Sequence, residues 1–210
     1  EVEEEMTLKI RKNWKGLEDY IFDLRKKYRY KVKNIINKTN NLNIRNFSEK
    51  DIEKYSLNLQ NLYTQVTRGS KFSGAEFNTK SFALFIKKGY MNIKGYFIQD
   101  KLVGFSSEIQ QNKKLYSYFV GFDKKLNQTY PIYGRILINN IKTAISLRAD
   151  HLILGRTANE FKSNFGAEPV KSFVYLKIKN PFLRTMLKPI YSNIKIKKWK
   201  KRNALKPANR

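Results

Sequence analysis

From Trp14 to about Lys38 the apolar residues Leu17, Tyr20, Ile21, Leu24, Tyr28, Val32, Ile35 and Ile36 recur at steps of three and four, the spacing of one helix face. The opposite face carries Arg25, Lys26, Lys27, Arg29, Lys31 and Lys33, so the pattern predicts one long amphipathic helix with a concentrated positive field. Asn40 and Asn41 mark a turn before a short strand, Leu42 to Phe47. A second helix is expected to open at Ser48, where Ser48-Glu49-Lys50-Asp51 fits a capping box, and to run through Tyr55, Leu59, Leu62 and Val66 to Gly69. Ser70 to Asn78 reads as a loop, and Thr79 to Lys88 as a short helix ended by Gly89.

The alternation then changes to a period of two. Met91 to Gln99, Leu102 to Gln111 and Lys114 to Phe122 are three strand-like runs separated by Asp100-Lys101 and Asn112-Lys113, lengths that favour tight antiparallel hairpins. Simple alternation places Tyr116, Tyr118, Val120 and Phe122 on one face of the third strand, and sets Gly104, Ser106, Glu108 and Gln110 against Val103, Phe105, Ser107 and Ile109 in the second. After Pro131 a helix from about Tyr133 to Arg148 leads into a short apolar strand, His151 to Leu154. Strand, helix and strand in that order make a βαβ crossover, which implies a parallel neighbour and a mixed sheet. A short helix, Thr157 to Phe165, precedes a strand from Val170 to Ile178, and another helical stretch follows Pro181. The expected organisation is an N-terminal leader or strand over residues 1–13, an α/β domain over 14–180, and a basic C-terminal helix and tail over 181–210.

Composition narrows the chemistry. With 41% hydrophobic and 14% aromatic residues in 210, most of the chain should fold around a core. Lys+Arg 43 against Asp+Glu 17 leaves +26, a charge that attracts nucleic acid, anionic lipid or phosphorylated cofactors. The absence of Cys excludes disulfides, thiolate catalysis and zinc-thiolate sites, and a lone His151 leaves no histidine cluster, so no metal is expected. No apolar run approaches the ~18 residues of a membrane span. A soluble or peripheral protein is therefore expected, in the cytoplasm or at the inner membrane face. The opening Glu1-Val2-Glu3-Glu4-Glu5 is unlike a secretion signal, and a start at Glu1 rather than Met suggests a fragment or processed chain.

Between two predicted strands, Gly155 to Pro169 reads Gly-Arg-Thr-Ala-Asn-Glu-Phe-Lys-Ser-Asn-Phe-Gly-Ala-Glu-Pro. Thr157 with Glu160 fits a capping box, and Gly166 with Pro169 fits a helix end. Capping does not account for Arg156 or Lys162. Arg156 leaves the carboxyl end of a buried strand beside a helix N-terminus, where backbone donors and a guanidinium can hold an anion.

This segment resembles a stretch near the end of Fem-like proteins of the GNAT superfamily, the peptidoglycan-biosynthesis type of N-acyltransferase. Asp19-Tyr20 with Leu24 and Lys27-Tyr28-Arg29 is similar to a helix of that family, and Phe119 to Phe122 followed by Tyr133-Gly134-Arg135-Ile136-Leu137 to another of its passages. Trp199 to Lys206 is similar to its ending, with Ala204-Leu205 in place of Pro-Phe. The resemblance implies an α/β GNAT-like fold: a mixed, mostly antiparallel sheet flanked by helices, with an N-terminal helical segment. It also implies an acyl or aminoacyl donor in a cleft and an amine acceptor, such as one on a cell-wall or polysaccharide precursor. Members of this kind often carry two GNAT-like halves, of which this chain would be the second. Acetyl-CoA-using members have a glycine-rich pyrophosphate loop, whereas Asn127 to Arg135 contains only Gly134, so acyl-CoA and aminoacyl-tRNA both stand as donors.

Amide transfer needs a base, a stabiliser of the carbonyl oxygen and an acid for the leaving group. Glu108, among the small residues Gly104 and Ser106, is the candidate base, or else a solvated strand carboxylate. Tyr118 is the candidate acid or orienting group, or else a core aromatic. Tyr133, Gly134 and Arg135 at the start of the crossover helix, with Arg156, Thr157 and Lys162, are the candidate donor-binding set. His151 is read as structural. Lys26, Lys27, Arg29, Lys31 and Lys33 are the candidate polyanion patch, for tRNA or an anionic membrane surface, unless they are only a solvated face. The tail from Lys195 to Arg202, with Trp199 inside it, is a second basic segment open to RNA or lipid. A non-catalytic polyanion-binding module on the same fold is the alternative function.

Overall fold

In the computed structural model, which describes residues 2–68, 77–175, 177–192 and 198–207, seventeen segments build one sheet and its cover. In chain order they are β1 (Val2–Lys9), α1 (Leu17–Asp23), α2 (Lys26–Lys38), β2 (Leu42–Asn46), α3 (Glu49–Lys54), α4 (Ser56–Thr67), a 3-10 turn (Thr79–Ser81) and α5 (Phe82–Lys87). Then come β3 (Asn92–Ile98), β4 (Lys101–Gln111), β5 (Lys114–Phe122), α6 (Leu126–Thr129), α7 (Ile132–Ser146), β6 (His151–Ile153), α8 (Asn159–Ser163), β7 (Glu168–Ser172) and α9 (Pro181–Ser192). The sheet runs β2-β3-β4-β5-β6-β1-β7. Every neighbouring pair is antiparallel except β5 and β6, which are parallel.

The meander forms where alternation places it. Both hairpins close with two residues, Gln99-Asp100 and Asn112-Lys113, between the pairs Ile98↔Lys101 and Gln111↔Lys114. One register is corrected by the structure. Ser106 faces Val120 while Glu108 faces Ser117, so β5 carries a bulge of two residues, Tyr118 and Phe119, opposite Ser107, and Phe119 N donates to Ser107 Oγ at 2.7 Å. The extra residue reverses the alternation. Val120 and Phe122 therefore pack beneath α7, with Ile132, Ile136 and Tyr96, while Phe119 packs on the other face with Phe82 and Phe105.

Three other expectations shift. The helix from Trp14 to Lys38 is two helices, broken at Leu24, whose extended backbone bridges Leu205 while Arg25 N donates to Ala204 O. The helix opened by Ser48 is likewise two, separated at Tyr55; its capping box forms, with Ser48 accepting from Asp51 N and Asp51 from Ser48 N. The helix end at Gly69 and most of the loop from Ser70 to Asn78 lie outside the described residues. The last strand starts two residues early, at Glu168, and ends at Ser172; as the sheet's edge it tolerates Pro169, which has no N–H to donate.

The segment 1–13 contributes β1 to the sheet interior, between β6 and β7. Met6, Leu8 and Ile10 join Leu152, Leu154 and residues of α1, α2 and α7 in the largest apolar cluster. The chain's end docks there too. Ala204 is buried in that cluster, Trp199 packs against it and donates to Glu4 Oε2 at 3.1 Å, and Arg11 reaches both Asp23 Oδ2 and Lys206 O.

Candidate functional site

The parallel pair is short. Lys114 to Tyr116 match His151 to Ile153 and no further, so from Ser117 to Phe122 β5 is bonded to β4 alone and the pair opens at its carboxyl end. Ligands of α/β sheets gather at such a place. Four rings cross from one side of the opening to the other. Phe122 at the end of β5 stacks on Tyr133 in the first turn of α7 at 5.4 Å, Tyr133 stacks on Phe161 of α8 at 5.3 Å, and Phe161 contacts Phe165 at 5.4 Å. Burial raises the Tyr133 phenol above its ordinary pKa, so it is a hydrogen-bonding group rather than an acid at neutral pH.

Lys162, one residue beyond Phe161, is 3% exposed. Its Nζ donates to Leu154 O at 2.5 Å and Gly155 O at 3.2 Å, the last carbonyls where β6 ends. Burial pushes its pKa down to about 7, outweighing the attraction of the Glu5 carboxylate on β1. A buried amine at the carboxyl end of β6, beside β1, is thereby poised between its charged and neutral forms. Cations flank the rings. Lys31 Nζ sits over the Phe161 ring at 4.9 Å, and its pKa is lowered by partial burial and by the nearby Arg202 and Lys27. Arg202 pairs with Glu160.

Among the donor-binding candidates, Tyr133 comes to this opening, Lys162 is buried at the carboxyl end of β6, and the others disperse. Arg156 and Thr157 are exposed and make no hydrogen bond or ion pair among the described residues. The capping box read at Thr157 does not form, because Ala158, at φ 55°, is the N-cap and Glu160 turns to Arg202 instead. Gly134 lies under Ile35 of α2, where an added Cβ would meet Ile35 Cδ1 at 2.9 Å; it is a helix-packing glycine. Arg135 is half-buried, its Nε has no hydrogen-bond partner among the described residues, and burial lowers its pKa, which the nearby Tyr96 on β3 partly offsets.

The acid and base candidates are also apart from Lys162. Glu108 is 2% exposed beneath α7, with both carboxylate oxygens 2.8 Å from Lys94 Nζ, which also reaches Thr143 Oγ1 at 2.6 Å. Asn140, its amide turned to suit its neighbours, donates to Glu108 Oε1 at 3.1 Å and accepts from Ser117 Oγ at 2.7 Å. Its carboxylate is thus engaged by Lys94 and Asn140. Tyr118 is 61% exposed at the bulge of β5, edge-on to Phe119 at 4.8 Å. It is neither core nor buried donor.

The basic face of α2 divides in the same way. Arg29 caps α1, donating to Ile21 O, Phe22 O and Leu24 O, and is spent on structure. Lys26, Lys27 and Lys33 are exposed, and Lys31 covers Phe161. In the tail, Lys195 and Lys197 lie outside the described residues, while Lys201 reaches Glu168 and Trp199 is taken up by Glu4. Shallow hollows of about 380 and 510 Å³ lie elsewhere, one beside Gln60 and Thr79 and one at the amino end of the parallel pair beside Tyr116 and His151. The described residues contain no cluster of ligands suited to a metal ion.

No family model and no curated protein matches the chain. Solved structures do. FemX superposes with a TM-score of 0.57 at 10% identity, over 80% of this chain and 59% of FemX. The C-terminal domain of an Agrobacterium fabrum protein named as a lysylphosphatidylglycerol synthetase gives 0.56 at 9%, over 79% and 58%. The chain has a Fem-like fold. A Bacteroides thetaiotaomicron protein of unknown function gives 0.54 at 13%, over 81% and 57%. The chain thus spans less than two thirds of each of these proteins.

In this Fem-like framework α7 is the crossover helix after the opened strand, and two amides of its first turn bond to the chain's own atoms. Ile132 N donates to Tyr130 O at 2.6 Å and Tyr133 N to Asn127 Oδ1 at 2.9 Å. Those backbone donors are what a pyrophosphate at a helix N-terminus would need. Asn127 was missed by sequence reasoning. Its only signal is an Asn ahead of a Pro-initiated helix.

Proposed function

We propose that this chain is the transfer half of an N-acyltransferase that moves an aminoacyl or acyl group from an ester donor to an amine, and that its donor is an aminoacyl-tRNA rather than a coenzyme A thioester. The observation that supports this reading best is Lys162, an amine with a pKa of about 7 held on Leu154 O and Gly155 O where β5 and β6 part. In the reaction, the acceptor amine attacks the donor carbonyl, the C–N bond forms and the ester C–O bond breaks. The neutral Lys162 amine takes the proton that the nucleophile loses, and its ammonium returns it to the departing ribose oxygen. An ammonium at that position also lowers the energy of the carbonyl oxygen's developing charge.

The choice of donor is supported by two features. Occupied amides in the first turn of α7 disfavour a pyrophosphate there. The cations beside the opening, Lys27 and Lys31, suit the phosphates of a single-stranded 3′ end. An amine on a cell-wall or polysaccharide precursor is the acceptor class proposed.

The test combines thermal shift with single-turnover transfer. Aminoacylated tRNA should raise the melting midpoint where acetyl-CoA and longer acyl-CoAs do not, because a ligand confined to the native state stabilises it. Lys162→Met should abolish transfer, and Arg156→Ala should leave it unchanged. A midpoint raised by acyl-CoA alone, or transfer that survives Lys162→Met, overturns the proposal.

A further inference from the structure

Helix α9 has an apolar stripe that stands largely exposed among the described residues. Asn180 Oδ1 accepts from Phe182 N at 2.9 Å and Leu183 N at 3.3 Å, so the helix is capped and starts on Pro181, a first-turn position where a missing N–H costs nothing. Phe182, Leu183 and Met186 fall in one arc at 100° per residue, with Arg184 and Lys188 on the other side. In most globular proteins that arc would be covered. Here Phe182 is 71%, Leu183 46% and Met186 60% exposed. Phe173, Val174 and Tyr175, which follow β7, are exposed as well, and Lys171, Lys177 and Lys179 are exposed beside them in sequence.

The charge around these side chains says what covers them. From Pro169 onward the chain contains no Asp or Glu, so the cations among these apolar residues have no carboxylate within their own stretch of sequence. A protein interface concentrates apolar side chains and excludes charge from its core. A bilayer surface instead accepts apolar side chains about 5–10 Å deep while its headgroups hold lysine and arginine. No helix among the described residues is long and apolar enough to cross the bilayer, so the geometry is that of a helix lying in the interface.

We propose that α9, with the apolar segment Phe173 to Tyr175 before it, docks this domain on an anionic phospholipid surface. The docking surface is distinct from the opening between β5 and β6 and does not depend on the transfer reaction.

Co-sedimentation of the full chain with vesicles tests it. Binding to equal parts phosphatidylglycerol and phosphatidylcholine should exceed binding to phosphatidylcholine alone, and should weaken steeply with salt. Phe182→Ser, Leu183→Ser and Met186→Ser together should remove binding while changing the thermal midpoint little, since these side chains are largely exposed. Lys177→Glu with Arg184→Glu should weaken binding by about tenfold or more, as expected from roughly 1 kcal/mol per cation near an anionic surface. Equal binding to neutral vesicles, or binding unaffected by the triple variant, overturns the proposal. So does light scattering that finds a dimer which the triple variant dissociates, for then a second copy covers the stripe. Loss in the same variant of binding to an RNA oligonucleotide, with vesicle binding retained, overturns it in favour of RNA.

Discussion

Lys94 and Glu108 form an ion pair across two neighbouring strands beneath α7, the lysine Nζ 2.8 Å from each carboxylate oxygen, and the carboxylate has almost no contact with water. The pair ties the sheet to α7, through Thr143 and Asn140.

Breaking the pair on one side leaves a buried charge without its partner. Lys94→Met or Glu108→Ala should each lower the unfolding free energy by about 3–5 kcal/mol. The double substitution should cost clearly less than the sum of the two. Urea denaturation of the three variants reads the coupling directly.

Lys162 gives stability a pH dependence of definite sign. Folding lowers its pKa from 10.5 to about 7, so over that interval the unfolded chain holds the proton more firmly than the folded one. Stability from this group should rise with pH between about 7 and 10.5, and the full penalty applies below 7. Lys162→Met should give a flatter profile over the interval, offset by about 1–3 kcal/mol for the acceptor left at Leu154 O. A profile parallel to that of the unaltered protein would show that Lys162 is not desolvated.

Two motif glycines should respond differently to alanine. At Gly121 an added Cβ would lie 2.3 Å from Phe105 Cε1 and 2.8 Å from backbone atoms of α4, which cannot move alone. Gly121→Ala should therefore cost about 1–3 kcal/mol. At Gly134 the nearest atom is the mobile end of Ile35, and alanine favours a helix by up to about 1 kcal/mol, so Gly134→Ala should be close to neutral. Thermal unfolding separates the two.

Arg29 supports the end of α1 rather than a ligand. Arg29→Ala should lower the melting midpoint, because three carbonyls lose their donor, and should leave tRNA affinity nearly unchanged. Lys27→Glu with Lys31→Glu should do the reverse, weakening tRNA binding and its salt dependence with little effect on the midpoint. Filter binding across a salt series checks both.

Local order was readable in the chain and distant docking was not. The meander and the crossover follow from alternation, from two-residue turns and from one apolar run after a helix, all of them features of contiguous residues. Periodicity carries straight through Leu24, yet the helix breaks there, since the residues that capture Leu24 and Arg25 are Leu205 and Ala204 near the other end of the chain. The bulge at Tyr118 and Phe119 could not be read either, as nothing in β5 alone distinguishes an extra residue. Within the site, Lys162 stood out because capping did not explain it. Arg156 stood out for the same reason and turned outward. Position beside a strand end does not determine which way the next side chain points, whereas a lysine one residue after Phe161 on a short helix is carried inward with it.

The interior place of β1 has a consequence for assembly. Thr7 to Lys9 bond to β6 and Val2 to Thr7 to β7, so this strand emerges from the ribosome long before either neighbour exists. Until then it carries two vacant edges, the state in which strands join the wrong chain. Glu3, Glu4 and Glu5 sit on that waiting strand, and three adjacent like charges repel another copy of it.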